Sequence, residues 1–199
     1  MLGGLGLPPA GALVIDDFRS GVATAPGLTQ RAVGKRVAGD SALAGVLGGG
    51  RRLGVAAARL RIAAHDAVSS GVVPEAGRLN YASTEGADGR VELNYDANGR
   101  GLNTNWRAER GLAVEVADAD AAAVPYTVTL VLADGEGRST SATQTVTRAG
   151  PHRIEFRLSN LRSLDLGRIR SLTIVVDPGE AGDLQLKGIQ TLAGGATSP

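Results

Sequence analysis

From Leu13 onward, apolar residues recur at every second position rather than every third or fourth, and this period limits the chain to strands. The alternation is clear in Leu79 and Tyr81, in Val91, Leu93 and Tyr95, and in Leu112, Val114 and Val116. It continues through Tyr126, Val128, Leu130 and Leu132, then Ile154, Phe156 and Leu158, then Leu172, Ile174 and Val176, and ends at Leu184 and Leu186. Turn signals such as Ala87-Asp88-Gly89, Asn98-Gly99, Asp134-Gly135 and Asp177-Pro178-Gly179 separate the segments. Their spacing predicts antiparallel strands in a sandwich, because a parallel sheet needs crossover connections of a dozen or more residues that are absent here.

The same reading places a first strand at Leu13 to Phe18, a further one around Thr29 to Val33 inside the glycine-rich stretch Gly21 to Gly50, and a polar surface strand at Gly137 to Thr147. Leu53, Val55 and Ala57 alternate in one phase and Leu60, Ile62 and Ala64 in the other, which predicts a β-bulge between them. Leu161 to Ile169 is the one stretch expected to hold a helical turn. At 199 residues, one sandwich accounts for the whole chain. The expected organisation is a tail at 1–12, a β-sandwich domain at 13–192 and a second tail at 193–199.

Formal net charge is +1, from 21 basic and 20 acidic residues, and neither sign accumulates, so a nucleic-acid surface is not expected. Arg51, Arg52, Arg59 and Arg61 form the densest basic group; Arg59 and Arg61 should share one face of a strand, as part of a solvated sheet rather than a phosphate site. Without cysteine there is no disulfide framework and no thiol nucleophile. Residues 1–12 carry no positive segment before Arg19 and do not read as an intact signal peptide, and no apolar run reaches the ~20 residues that cross a bilayer, so membrane insertion is not expected.

Gly39-Asp40-Ser41-Ala42-Leu43 looks like the nucleophile block of GDSL esterases. That chemistry needs a histidine base set by an acid, and neither His65 nor His152 follows an aspartate by three positions. His65 and Asp66 are adjacent and would point to opposite faces of a strand. Asp96-Ala97-Asn98-Gly99 has the flavour of a calcium loop but lacks its closing glutamate, and reads as a turn. Asp118 and Asp120, spaced like paired ligands, read as a solvated strand end. No catalytic residue, metal site or cofactor is therefore expected.

Of the six aromatics, Phe18, Tyr81, Tyr95, Tyr126 and Phe156 fall in phase with aliphatic neighbours and belong to the core. Trp106 sits in the polar run Asn103-Thr104-Asn105-Trp106-Arg107. There its indole would either stack on a sugar while Asn103, Asn105 and Arg107 hydrogen-bond hydroxyls, or cap one end of the sandwich.

Ile15-Asp16-Asp17-Phe18, Val46-Leu47-Gly48-Gly49-Gly50-Arg51-Arg52, Gly77-Arg78-Leu79-Asn80-Tyr81, Val91-Glu92-Leu93-Asn94-Tyr95-Asp96 and the closing Gly182-Asp183-Leu184-Gln185-Leu186-Lys187-Gly188-Ile189 together resemble the galactose-binding-like jelly rolls of exported bacterial surface proteins. The resemblance spans roughly Leu13 to Leu192. It implies a non-enzymatic extracellular or cell-surface protein. Related carbohydrate-binding modules often hold a structural calcium between the last strand and N-terminal acids, whereas this chain has Lys187 and Gly188 there, so metal independence is expected, with Asp16 and Asp17 the first suspects otherwise. Two functions follow. One is self-assembly into a homo-oligomer or polymer, with Leu2, Leu5 and Leu7 adding a strand to a neighbour's sheet edge. The other is carbohydrate binding through Trp106 or the concave sheet face.

Overall fold

The computed structural model describes residues 11–21, 28–61, 65–121, 123–161 and 163–194, and the backbone but not the side chain of residue 75. Its strands in chain order are β1 (Val14–Asp16), β2 (Leu28–Gln30), β3 (Gly34–Ser41), β4 (Gly50–Leu60), β5 (Val68–Val73), β6 (Arg78–Ser83) and β7 (Ala87–Tyr95). They continue with β8 (Glu109–Ala119), β9 (Tyr126–Asp134), β10 (Ser139–Val146), β11 (His152–Arg157), β12 (Ile169–Asp177) and β13 (Asp183–Ala193). Among the described residues one sheet runs β11-β8-β13-β6-β5-β2, with β1 beside β13, and the other runs β10-β9-β12-β7-β4-β3. Neighbours pair antiparallel throughout, from the β4–β7 and β8–β13 ladders at the centre to β9–β10 at an edge. The chain switches sheet between β2 and β3, β4 and β5, β6 and β7, β7 and β8, β8 and β9, β10 and β11, β11 and β12, and β12 and β13. The protein is therefore an all-β antiparallel jelly-roll sandwich.

Period-two patterning does what it predicts. In β9 every even residue from Tyr126 to Leu132 is buried while the odd ones are partly exposed, and β7 and β12 behave likewise. The inward residues of both sheets form one continuous core that includes Val55, Leu79, Leu93, Val114, Leu130, Ile174 and Leu186. The β4–β7 ladder shifts register between Ala57 and Arg59, at the predicted bulge. Arg59 and Arg61 do share a side, and both reach Glu180, at 2.8 and 2.9 Å.

Three expectations need correction. β3 lies within the glycine-rich stretch that had suggested a strand only near Thr29 to Val33. Its residues are mostly exposed, so no apolar alternation marks it. The helical turn expected at Leu161 to Ile169 lies just upstream as a 3-10 turn, Leu158–Asn160, with two more at Leu47–Gly49 and Pro74–Ala76. β13 extends through Ala193 and Gly194 N donates to Ala108 O, one residue and more past the expected domain end.

Asp134 organises the β9–β10 hairpin. Its inaccessible carboxylate accepts from Glu136 N, Arg138 N and Arg138 Nε, and from Asp165 N across the loop. The Asp165 N–H, followed by the Arg138 guanidinium and the other N–H groups, lowers this carboxyl to about 2. A depressed folded-state value gives stability that is present above the ordinary aspartate range and is lost as pH falls through about 2. Asp134→Asn should thus melt below wild type at neutral pH and converge with it in strong acid. Parallel melting curves at every pH would remove the carboxylate from this role.

Candidate functional site

Two constellations stand out. The first is a buried charge cluster that accounts for the Ile15-Asp16-Asp17-Phe18 and Gly50-Arg51-Arg52 segments. Asp16 and Arg51 are both withdrawn from solvent, and Arg51 Nη1 donates to Asp16 Oδ2 at 2.7 Å. Tyr95 OH donates to the same oxygen at 2.8 Å, and Phe18 N donates to Asp16 Oδ1 at 2.8 Å. The second nitrogen, Arg51 Nη2, donates to Ser20 O at 3.0 Å and lies 3.5 Å from Asp40 Oδ2. The guanidinium also stands 5.7 Å from the Phe18 ring centroid, within reach of its π face. Burial pushes the Asp16 carboxyl up, while Arg51, Phe18 N–H and Tyr95 pull it back; burial likewise raises Tyr95, reinforced by the Asp16 charge. Asp16 pairs with Ile189 and its carbonyl faces Gly188, so the last strand does lie beside it. Its charge is met from β4, by Arg51. The cluster ties the N-terminal strand to the sandwich, with Asp16 and Arg51 themselves withdrawn from solvent.

The second constellation is a groove of about 410 Å³ at one end of the outer face of the seven-stranded sheet. Glu109 and Gly111 come from β8, Glu155 and Arg157 from β11, and Leu192 from β13, and these point outward because Leu112, Val114 and Phe156 take the inward positions. Ser159 and Leu166, from the connection to β12, close the far side. Gly111 makes the floor: a Cβ there would lie 2.6 Å from Phe156 O, so only glycine permits this approach of β8 to β11. Among the described residues neither Arg110 nor Arg157 has a carboxylate partner, and Glu109 Oε2 is buried without a hydrogen-bond donor. Glu155 lies 3.6 Å from Arg153, which is held mainly by Glu115.

Trp106 is not on the surface. It is fully buried, so its ring cannot stack on a sugar, and all six aromatics belong to the core. Neighbouring polar residues gave the run a surface character, but they are occupied in building the loop. Asn105 Oδ1 accepts from Arg107 N, and Arg107 Nη2 pairs with Asp165 at 2.8 Å. Asn103, at φ 52°, donates to Gly101 O and accepts from Arg168 Nε at 3.4 Å. This loop nevertheless shapes the groove, since Trp106 N donates to Leu166 O and Glu109 N to Trp106 O. The run therefore lies beside the groove with its indole turned into the core. Leu2, Leu5 and Leu7 lie outside the described residues. The groove was missed because its members are spread over β8, β11 and β13 with no motif linking them.

The remaining motifs take structural positions. Ser41 ends the edge strand β3 opposite Gly50, and Asp40 faces Arg51. His152 Nδ1 donates to Gly150 O at 2.7 Å, and Nε2 shares a hydrogen bond with Tyr126 OH at 2.5 Å. Asp96 closes its turn by accepting from Gly99 N, with Ala97 and Asn98 both at positive φ. Asp120 accepts from Ala123 N, and Asp118 is exposed opposite Gln185. No cluster of three or more His, Asp or Glu within reach of one metal ion occurs among the described residues, and no helix there is long and apolar enough to cross a membrane.

No protein-family model matches the chain. No curated protein matches it either. Among solved structures it is similar to the family 11 carbohydrate-binding module from Clostridium thermocellum in complex with a β-1,3-1,4-mixed-linked tetrasaccharide, at 9% identity and a TM-score of 0.43, covering 92% of this chain and 96% of that one. It is also similar to TmCBM61 in complex with β-1,4-galactotriose, at 16% identity and a TM-score of 0.36, over 80% of this chain and 88% of that one. A third likeness is to PfGH50B, at 15% identity and a TM-score of 0.45 over 62% of this chain, which spans 21% of the length of that protein.

Proposed function

We propose that the protein is a non-catalytic carbohydrate-binding sandwich, acting outside the cell or at its surface, whose site is the groove formed by β8, β11 and the Leu158–Asn160 turn. The observation that carries this reading is the groove's mixed lining. Carboxylates of Glu109 and Glu155 can accept hydrogen bonds, the guanidiniums of Arg110 and Arg157, without a carboxylate partner among the described residues, can donate them, and Leu166 and Leu192 supply an apolar wall. Sugars need this combination, since each ring offers several hydroxyls that both donate and accept together with an apolar C–H face. A volume of 410 Å³ lies in the range of small-molecule sites and suits one or two rings.

A glycan array followed by calorimetry tests the reading. Arg157→Ala and Glu155→Ala both alter exposed side chains and should leave the fold intact. A hydrogen bond to a charged group is worth about 1.5–3 kcal/mol, so each should weaken a hit by roughly ten- to a hundredfold. An array with no hits, or a hit whose affinity both variants leave unchanged, would sink the assignment.

A further inference from the structure

We propose that two copies of this chain pair through β10, edge to edge about a twofold axis centred on Ala142, so that the two six-stranded sheets become one. Among the described residues β10 pairs only with β9, in an unbroken register from Ser139 opposite Ala133 to Val146 opposite Tyr126. Asp134 N donates to Arg138 O at 2.9 Å, which makes 134 and 138 a hydrogen-bonded pair. Counting along the ladder in twos, the even residues Thr140, Ala142, Gln144 and Val146 aim their backbone groups at β9. The odd residues Ser139, Ser141, Thr143 and Thr145 therefore aim theirs at the free edge, and all four are exposed.

The other outer strands are guarded. β3 carries Lys35, Arg36 and Asp40, β11 carries Arg153, Glu155 and Arg157, and β2 has three residues. β10 has eight residues with no charge, no proline and no bulge, the features by which sheet edges otherwise avoid pairing. A second copy fits it better than any other strand. With Ala142 opposite Ala142 of the other copy, Ser141 faces Thr143 and Ser139 faces Thr145, each as a hydrogen-bonded pair. About eight backbone hydrogen bonds form and no like charges meet. The groove opens on the outer face of the other sheet, with Gln144 Nε2 of β10 donating to Glu155 O beside it.

Analytical ultracentrifugation over a concentration series should show a reversible monomer–dimer equilibrium. Ser141→Pro removes an N–H that faces the free edge and leaves the β9 ladder whole, so it should give a folded monomer. If that variant does not fold, Ser141→Lys serves the same purpose by placing an ammonium on the seam of each copy. Since the chain has no cysteine, Ala142→Cys should form a disulfide-linked dimer on mild oxidation, and Val37→Cys on β3 should not. A variant lacking residues 1–12 should still dimerise. Wild type that stays monomeric at roughly millimolar concentration, a Ser141 variant that dimerises like wild type, equal cross-linking at 142 and 37, or dimers lost with residues 1–12 would each overturn the proposal.

Discussion

Arg51→Met should lower stability at neutral pH by about 3–5 kcal/mol, because it leaves the Asp16 carboxylate buried with its charge unmatched. In the wild type, Asp16 has no exposed surface, and its compensation comes from Arg51, Tyr95 OH and Phe18 N–H. Removing Arg51 takes away the strongest of the interactions that pull the carboxyl down and leaves the burial that pushes it up. A folded-state value raised above the unfolded one gives a contribution that is favourable below the unfolded value and is lost as pH rises through the folded one. The deficit of Arg51→Met relative to wild type should therefore shrink on acidification from neutrality toward the ordinary aspartate range. Adding Asp16→Asn should recover part of the loss at neutral pH, since the amide needs no counter-charge and its carbonyl can still accept from Tyr95. Urea unfolding across this pH range measures both effects. A deficit independent of pH, or a double variant no better than Arg51→Met alone, would mean that the guanidinium contributes packing rather than charge.

What the sequence disclosed and what it hid divide along a physical line. Strands whose two faces differ in polarity announce themselves, and β7, β8, β9, β12 and β13 were readable from alternation alone. Even the bulge at Ala57 and Arg59 showed as a change of phase. β3 did not, because an edge strand with both faces largely exposed carries no alternation. Asp16 was visible as an acid near the N-terminus, but the partner that neutralises it is Arg51, thirty-five positions away, and pairing across sheets leaves no local trace. The candidate groove was hidden for the same reason, as it exists only once β8, β11 and β13 are side by side.

Trp106 shows the failure most plainly, because composition of the surrounding run misled where burial decides. Asn103, Asn105 and Arg107 are polar because they hold a loop by hydrogen bonds to its own backbone and to Asp165 and Arg168, and their polarity says nothing about the indole between them. Trp106→Ala should thus cost about 3–5 kcal/mol, the usual loss for emptying a buried tryptophan site, enough to unfold a domain of ordinary marginal stability. Trp106→Phe should cost less than the alanine change. It keeps much of the apolar volume, and it removes an indole N–H that has no acceptor among the described residues and so offsets part of the packing lost. Because Trp106 is the only tryptophan in the chain, its emission reports this site alone and should be blue-shifted and poorly quenched by acrylamide in the folded protein. The loop it anchors carries Leu166 and Glu109 into the groove, so Trp106→Phe should weaken a bound glycan only modestly while Arg157→Ala weakens it strongly. Red-shifted, freely quenched emission, or glycan affinity abolished by Trp106→Phe in a protein that remains folded, would return the indole to the surface as the binding platform.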